Sequence, residues 1–132
     1  MKKTINIVLK VVLSLILLSP ILGVIGVFPP PTADLYNTPE AFDFISMLIA
    51  TKYINFLMVI VFILAFIFLW TKRVALAALI LLPITLNIVG FHMFLDGGLF
   101  TSGAIMGNVL LLLNAYFLWQ QRDRYVPLFR RD

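Results

Sequence analysis

His92 is the only histidine of the chain, and Asp96 follows it at i+4. On a helix that spacing puts both side chains on one face. A carboxylate beside an imidazole orients the ring and favours its charged form. The pair has the makings of a proton-handling or ligand-binding site. The competing reading is a histidine hydrogen-bonded to a neighbouring helix, with Asp96 a solvated helix-end residue. Asn87 lies in the same apolar run, Val74 to Asp96. Its amide donates and accepts, so in apolar surroundings it must find partners, either as glue between helices or on the wall of a cavity. Pro83 frees the carbonyl of Leu79 and kinks a helix beside it. Asn55, Asn108 and Asn114 are candidate interhelical polar contacts that could join Asn87. Lys52 and Tyr53 are further ligand candidates, since an ammonium next to a phenol can hold an anionic or quinone-like headgroup. The same pair also serves as an anchor at a membrane surface.

No residue set for catalysis accompanies them. The chain has no Gly-rich phosphate loop, no G-x-S-x-G, no H-E-x-x-H and no pair of carboxylates inside an apolar run. One histidine and no cysteine speak against a metal site, because zinc takes about four ligands. The lack of an acidic residue in the middle of any apolar run weighs against an ion pump or a proton-coupled transporter.

The elements that must position these residues follow from composition. Of 132 residues, 62% are hydrophobic and 12% charged, and the mean hydropathy is +1.07. A soluble domain of this size needs more polar surface to cover its core. A helix that crosses a bilayer takes about 20 residues, and four apolar runs have that length. The spans are expected at 11–28, 54–70, 74–95 and 103–119, all within one integral membrane domain, 1–132.

The first run begins with Lys2, Lys3 and Lys10, as a signal peptide would. It is long enough to span, however, and Phe28-Pro29-Pro30-Pro31 follows it in place of an A-x-A-like site, so a retained span is expected. Gly23 and Gly26 near its outer end either permit close helix contact or loosen the end. Residues 29–53 form an outer loop and an interfacial helix. Thr38-Pro39-Glu40 reads as the start of that helix: an N-cap, a proline in the first turn and a carboxylate at the positive end of the dipole. Asp96-Gly97-Gly98 ends the third span, and 120–132 is a polar inner tail.

Charge sets the orientation. Nine of the ten basic residues fall in segments that share a side when the N-terminus is inside and four spans follow; only Lys52 falls on the other. The positive-inside rule then gives both termini inside. The basic residues sit in short clusters at the ends of apolar runs, so nucleic acid is not an expected partner. The fold expected is all-α: a polytopic membrane four-helix bundle, N-in and C-in, with a short outer interfacial helix before the second span.

Three stretches, Ala50-Thr51-Lys52-Tyr53, then LPITLNIVGFHMFLD from Leu82 to Asp96, then Arg122-Asp123-Arg124-Tyr125 with Leu128-Phe129, resemble the DoxX-like small membrane proteins. The resemblance runs roughly from Phe44 to Phe129, and its most specific part is P-x-x-x-N-I-x-x-F-H-x-F-L-D. It implies a four-helix bundle in a bacterial inner membrane. Some members resemble subunits of thiosulfate:quinone oxidoreductases, which implies a quinone as the candidate cofactor. The chain departs from the family in span two. Lys52 replaces the glycine of a T-G-Y triplet, and Val61 and Ala65 stand where a glutamate and a glycine are expected.

Three roles follow, in order. The first is a non-catalytic accessory subunit that docks in a larger membrane complex, its partners being membrane proteins or a second copy of itself, with membrane lipids around it. The second is a membrane subunit of a quinone-linked oxidoreductase that holds a quinone or other hydrophobic ligand near Asn87 and His92, with Tyr53 close by. The third is a lipid or small-solute carrier.

Overall fold

The computed structural model describes all 132 residues. Five helices follow one another: α1 Lys2–Val24, α2 Pro39–Thr51, α3 Tyr53–Trp70, α4 Val74–Phe94 and α5 Ile105–Gln120. Single helical turns lie at Ala33–Leu35, Ser102–Ala104, Arg122–Arg124 and Val126–Phe129. Four helices are long and apolar enough to cross a membrane: α1, α3, α4, and α5 with the turn that leads into it. The protein is a four-helix membrane bundle with one shorter helix, α2, before the second span.

The bundle closes as a ring, with α3 between α1 and α4, and α5 between α4 and α1. Its core is Leu13 and Leu17 of α1, Phe62, Ala65 and Leu69 of α3, Ala77, Ala78 and Leu81 of α4, and Leu110, Leu113 and Phe117 of α5. Alanine on α4 lets its neighbours approach closely, which is how helices gain packing energy where lipid is as apolar as the core. Outside this core, Leu15, Phe56, Leu79, Leu112 and Trp119 face outward. Such a surface suits hydrocarbon and not water.

Polar side chains stitch the end that carries both termini. Asn6 Oδ1 accepts from Tyr116 Oη at 2.8 Å and from Gln120 Nε2 at 2.9 Å. Trp70 Nε1 donates to Ser14 Oγ at 2.9 Å. The first helix begins at Lys2, well before the Val11 at which the apolar run begins, because lysine is a good helix former and continues the helix past the hydrocarbon boundary. It also stops short of Phe28. Gly26 takes φ +85°, its N–H bonds the Gly23 carbonyl, and the Val27 N–H bonds Leu22 at 2.9 Å. No atom lies within 4 Å of a Cβ built on Gly23 or Gly26. These glycines end the helix and make no close helix contact.

The start of α2 follows the expected signals. Thr38 accepts the Ala41 N–H through its hydroxyl at 3.1 Å, with Pro39 in the first turn. Only Lys52 separates α2 from α3, and it does so with φ +63°, a left-handed backbone. That conformation costs an L-residue about 1–2 kcal/mol and costs glycine almost nothing. Lys52→Gly is therefore expected to raise stability by up to about 1 kcal/mol, read as a higher melting temperature in mild detergent.

Candidate functional site

The candidate site forms where α4 ends. Gly97 and Gly98 take positive φ, and the Gly98 N–H bonds back to the His92 carbonyl at 2.8 Å. This closure turns Asp96 back toward the bundle, where it is 1% exposed. A buried carboxylate needs donors for its oxygens. One comes from the loop before α2: the Asn37 backbone N–H donates to Asp96 Oδ1 at 2.8 Å. His92 Nδ1 lies 3.0 Å from Oδ2. The loop is latched a second and a third time, as Asn37 Nδ2 donates to the Asp96 carbonyl at 3.1 Å and the Thr38 hydroxyl donates to the Leu95 carbonyl. Thr38 thus caps α2 with its oxygen and ties α2 to α4 with its hydrogen. Asp96 is not the solvated helix-end residue of the bland reading; it is the anchor of the outer loop.

Aromatic rings cover the latch. Tyr36 meets Phe91 edge-on at 6.3 Å and Phe42 at 5.9 Å. Burial, with the Asp96 charge adding, holds the Tyr36 phenol above its ordinary range, so it stays neutral at physiological pH.

The other side of the imidazole faces α5. A Cβ built on Gly103 would lie 3.7 Å from His92 Cε1 and 3.5 Å from Asp96 Oδ2, and one on Gly107 would lie 3.6 Å from His92 Cδ2. Cε1 and Cδ2 flank Nε2, so the Nε2 edge lies against the recess these two glycines leave. When Nδ1–H donates to the carboxylate, Nε2 of the neutral ring is left as an acceptor. His92 also lies on the wall of a cleft of about 150 Å³, shared with Ile16 and Pro20 of α1, Phe62 of α3 and Met106 of α5. Pro20 has no N–H to give the Ile16 carbonyl, and both residues line this cleft.

A Cβ at position 107 would also come within 3.1 Å of Ile88 Cγ2. Gly107→Leu is accordingly expected to force α4 and α5 apart at a cost of about 1–3 kcal/mol, measured as a lower melting temperature, while Leu112→Ala on the outer face of α5 leaves it almost unchanged.

Asn87 belongs elsewhere. It is exposed, on a groove of about 270 Å³ between α2 and α4 that it lines with Phe44, Gly90, Phe91, Phe94 and Leu95. Phe44 stacks on Phe91 at 5.9 Å. Two residues expected to share one site therefore line two different cavities. Lys52 and Tyr53 are exposed at the α2–α3 joint and line neither cavity. Of the asparagines, Asn114 is the one that joins helices: its Nδ2 donates to the Ala78 carbonyl at 2.8 Å. Its Oδ1 and the Thr85 hydroxyl are buried without a partner. Asn108 donates to the Leu99 carbonyl at 2.8 Å and so pins the α4–α5 loop, not another helix. Asn55 is half-buried on α3, and the bonds between helices are made by other residues. No group of three or more His, Cys, Asp and Glu side chains forms.

The sequence reading passed over Asn37, Thr38 as a tie to α4, and the Gly103/Gly107 recess. The last had a legible signal, since the two are spaced as G-x-x-x-G at the head of an apolar run. Comparison with family models, with curated proteins and with solved structures finds no match for this chain.

Proposed function

We propose that this chain is a non-catalytic membrane subunit that docks sideways against a partner protein through the α2–α4 groove. The observation that carries this reading is Asn87. It stands on the outward face of a membrane helix, with none of the interhelical hydrogen bonds reaching it. An amide left unpaired in an apolar medium costs about 1–3 kcal/mol by protein mutational measures. A hydrogen bond from a neighbouring helix recovers about 0.6–2 kcal/mol. The groove beside it is shaped for such a neighbour: Gly90 has nothing within 4 Å of a built Cβ, and Phe44, Phe91 and Phe94 form apolar walls.

The clustering of basic residues supports an orientation with both termini in the cytoplasm. A bacterial inner membrane is the setting that the DoxX-like resemblance implies. The left-handed backbone at Lys52 suits the glycine that such proteins carry in their T-G-Y triplet, which is support for that resemblance. Native mass spectrometry of the complex released by gentle solubilisation tests the reading. A partner protein at fixed ratio is expected, and a lone chain would contradict it.

The His92 cleft favours a second reading, a subunit of a quinone-linked oxidoreductase. An imidazole on the wall of an apolar cleft can hold the carbonyl or hydroxyl of a quinone or other hydrophobic ligand. On that reading purified protein carries quinone, His92→Ala releases it, and unchanged quinone content would sink it.

A further inference from the structure

We infer that the tail after α5 is a binding site for the headgroup of an anionic phospholipid. Three independent features point there. The first is charge. Lys72 and Arg73 at the α3–α4 turn, and Arg122, Arg124, Arg130 and Arg131 in the tail, are all exposed. The single ion pair of the structure, His92–Asp96, uses none of them. In the tail only Asp123 and Asp132 oppose them.

The second is that the tail is folded and tethered. Two helical turns, Arg122–Arg124 and Val126–Phe129, bring it back under the bundle, where Tyr125 Oη donates to the Ala75 carbonyl at 2.8 Å. Burial raises the Tyr125 phenol, which keeps this donor protonated. Ala75 is in the first turn of α4, so the tether holds the arginines of the tail near Lys72 and Arg73. Arg122 is fixed further: it stacks over the Trp119 ring at 4.7 Å and donates to the Trp119 carbonyl at 3.0 Å. That leaves other N–H groups of its fork free for a phosphate, which guanidinium suits.

The third feature selects lipid over a soluble anion. The turn between the basic pairs directs Val126, Leu128 and Phe129 outward, 52%, 68% and 86% exposed. Apolar side chains flanked by arginines, at the level of the exposed Trp70 and Trp119, fit the boundary between headgroups and acyl chains. Basic residues in this position draw anionic lipid, each adding to the attraction.

The test is native mass spectrometry of the full chain with phosphatidylglycerol or phosphatidylcholine. Phosphatidylglycerol should stay bound at collision energies that strip phosphatidylcholine. The double variant Arg122→Gln, Arg124→Gln should lose this preference by about tenfold or more, and Leu128→Ser with Phe129→Ser should weaken retention as well. All four positions are exposed, so melting temperature should not change and folding does not confound the result. Equal retention of the two lipids, or a preference that survives both double variants, would overturn the inference. So would complete displacement by millimolar inorganic phosphate, which would mark a simple anion site. None of these residues lines the Asn87 groove, so the outcome is independent of whether a protein partner docks there.

Discussion

Asp96→Ala is expected to lower stability by about 3 kcal/mol and to free the outer loop. The carboxylate is 1% exposed and accepts from the Asn37 N–H at 2.8 Å, with His92 Nδ1 3.0 Å from its other oxygen. Removing it leaves a part-buried backbone N–H and an imidazole without partners. Each orphaned group costs about 1–3 kcal/mol, and the alanine also leaves a void. Asp96→Asn is expected to be much milder. Its amide oxygen can still accept from Asn37, and its NH₂ can donate to Nδ1 if the ring takes the other tautomer. The readouts are the melting temperature in mild detergent and protease nicking between Pro29 and Asn37, which should rise in Asp96→Ala and in Asn37→Gly alike. Wild-type melting and protection in Asp96→Ala would show that the loop is held by other contacts.

Asn87→Leu is expected to do the reverse. The side chain is exposed and lines an open groove, so its loss should leave the melting temperature of the isolated chain unchanged. Recovery of a partner after gentle solubilisation should fall about tenfold, the size of one lost interhelical hydrogen bond near the strong end of its range. Gly90→Leu, which fills the groove floor where a Cβ now meets open space, should act the same way without touching the amide. A variant pair that melts early would place Asn87 in the chain's own packing and remove the reason for a partner.

The contrast between Asp96 and Asn87 marks where the sequence was legible. Helices α2, α3 and α4 were readable because each apolar run is punctuated by local chemistry: Thr38 as a cap, Lys72 and Arg73 between α3 and α4, Gly97 and Gly98 after α4. The facing of α4 was not. Its apolar residues lie all round, and in lipid the outside of a bundle is as apolar as its core. Periodicity then says nothing about which side Asn87 takes. The small residues Ala77, Ala78 and Thr85, all buried, decide it by letting α3 and α5 come close. The burial of Asp96 was hidden for a different reason. Its partner Asn37 stands 59 positions away and contributes a backbone N–H, which no residue type announces. The i+4 spacing did reveal the His92–Asp96 pair, which is one helical turn deep and needs no tertiary knowledge.

The most direct test of lateral docking is photo-crosslinking in native membranes with a photoreactive phenylalanine analogue at Phe94. That side chain lines the Asn87 groove and is 82% exposed. The control is the same analogue at Phe66, 46% exposed on α3 and outside the groove. One adduct of discrete mass from position 94, absent at 66 and lost when Asn87→Leu is added, is the predicted result. Equal adducts at both positions, or an adduct at 94 that Asn87→Leu leaves intact, would contradict docking through this face.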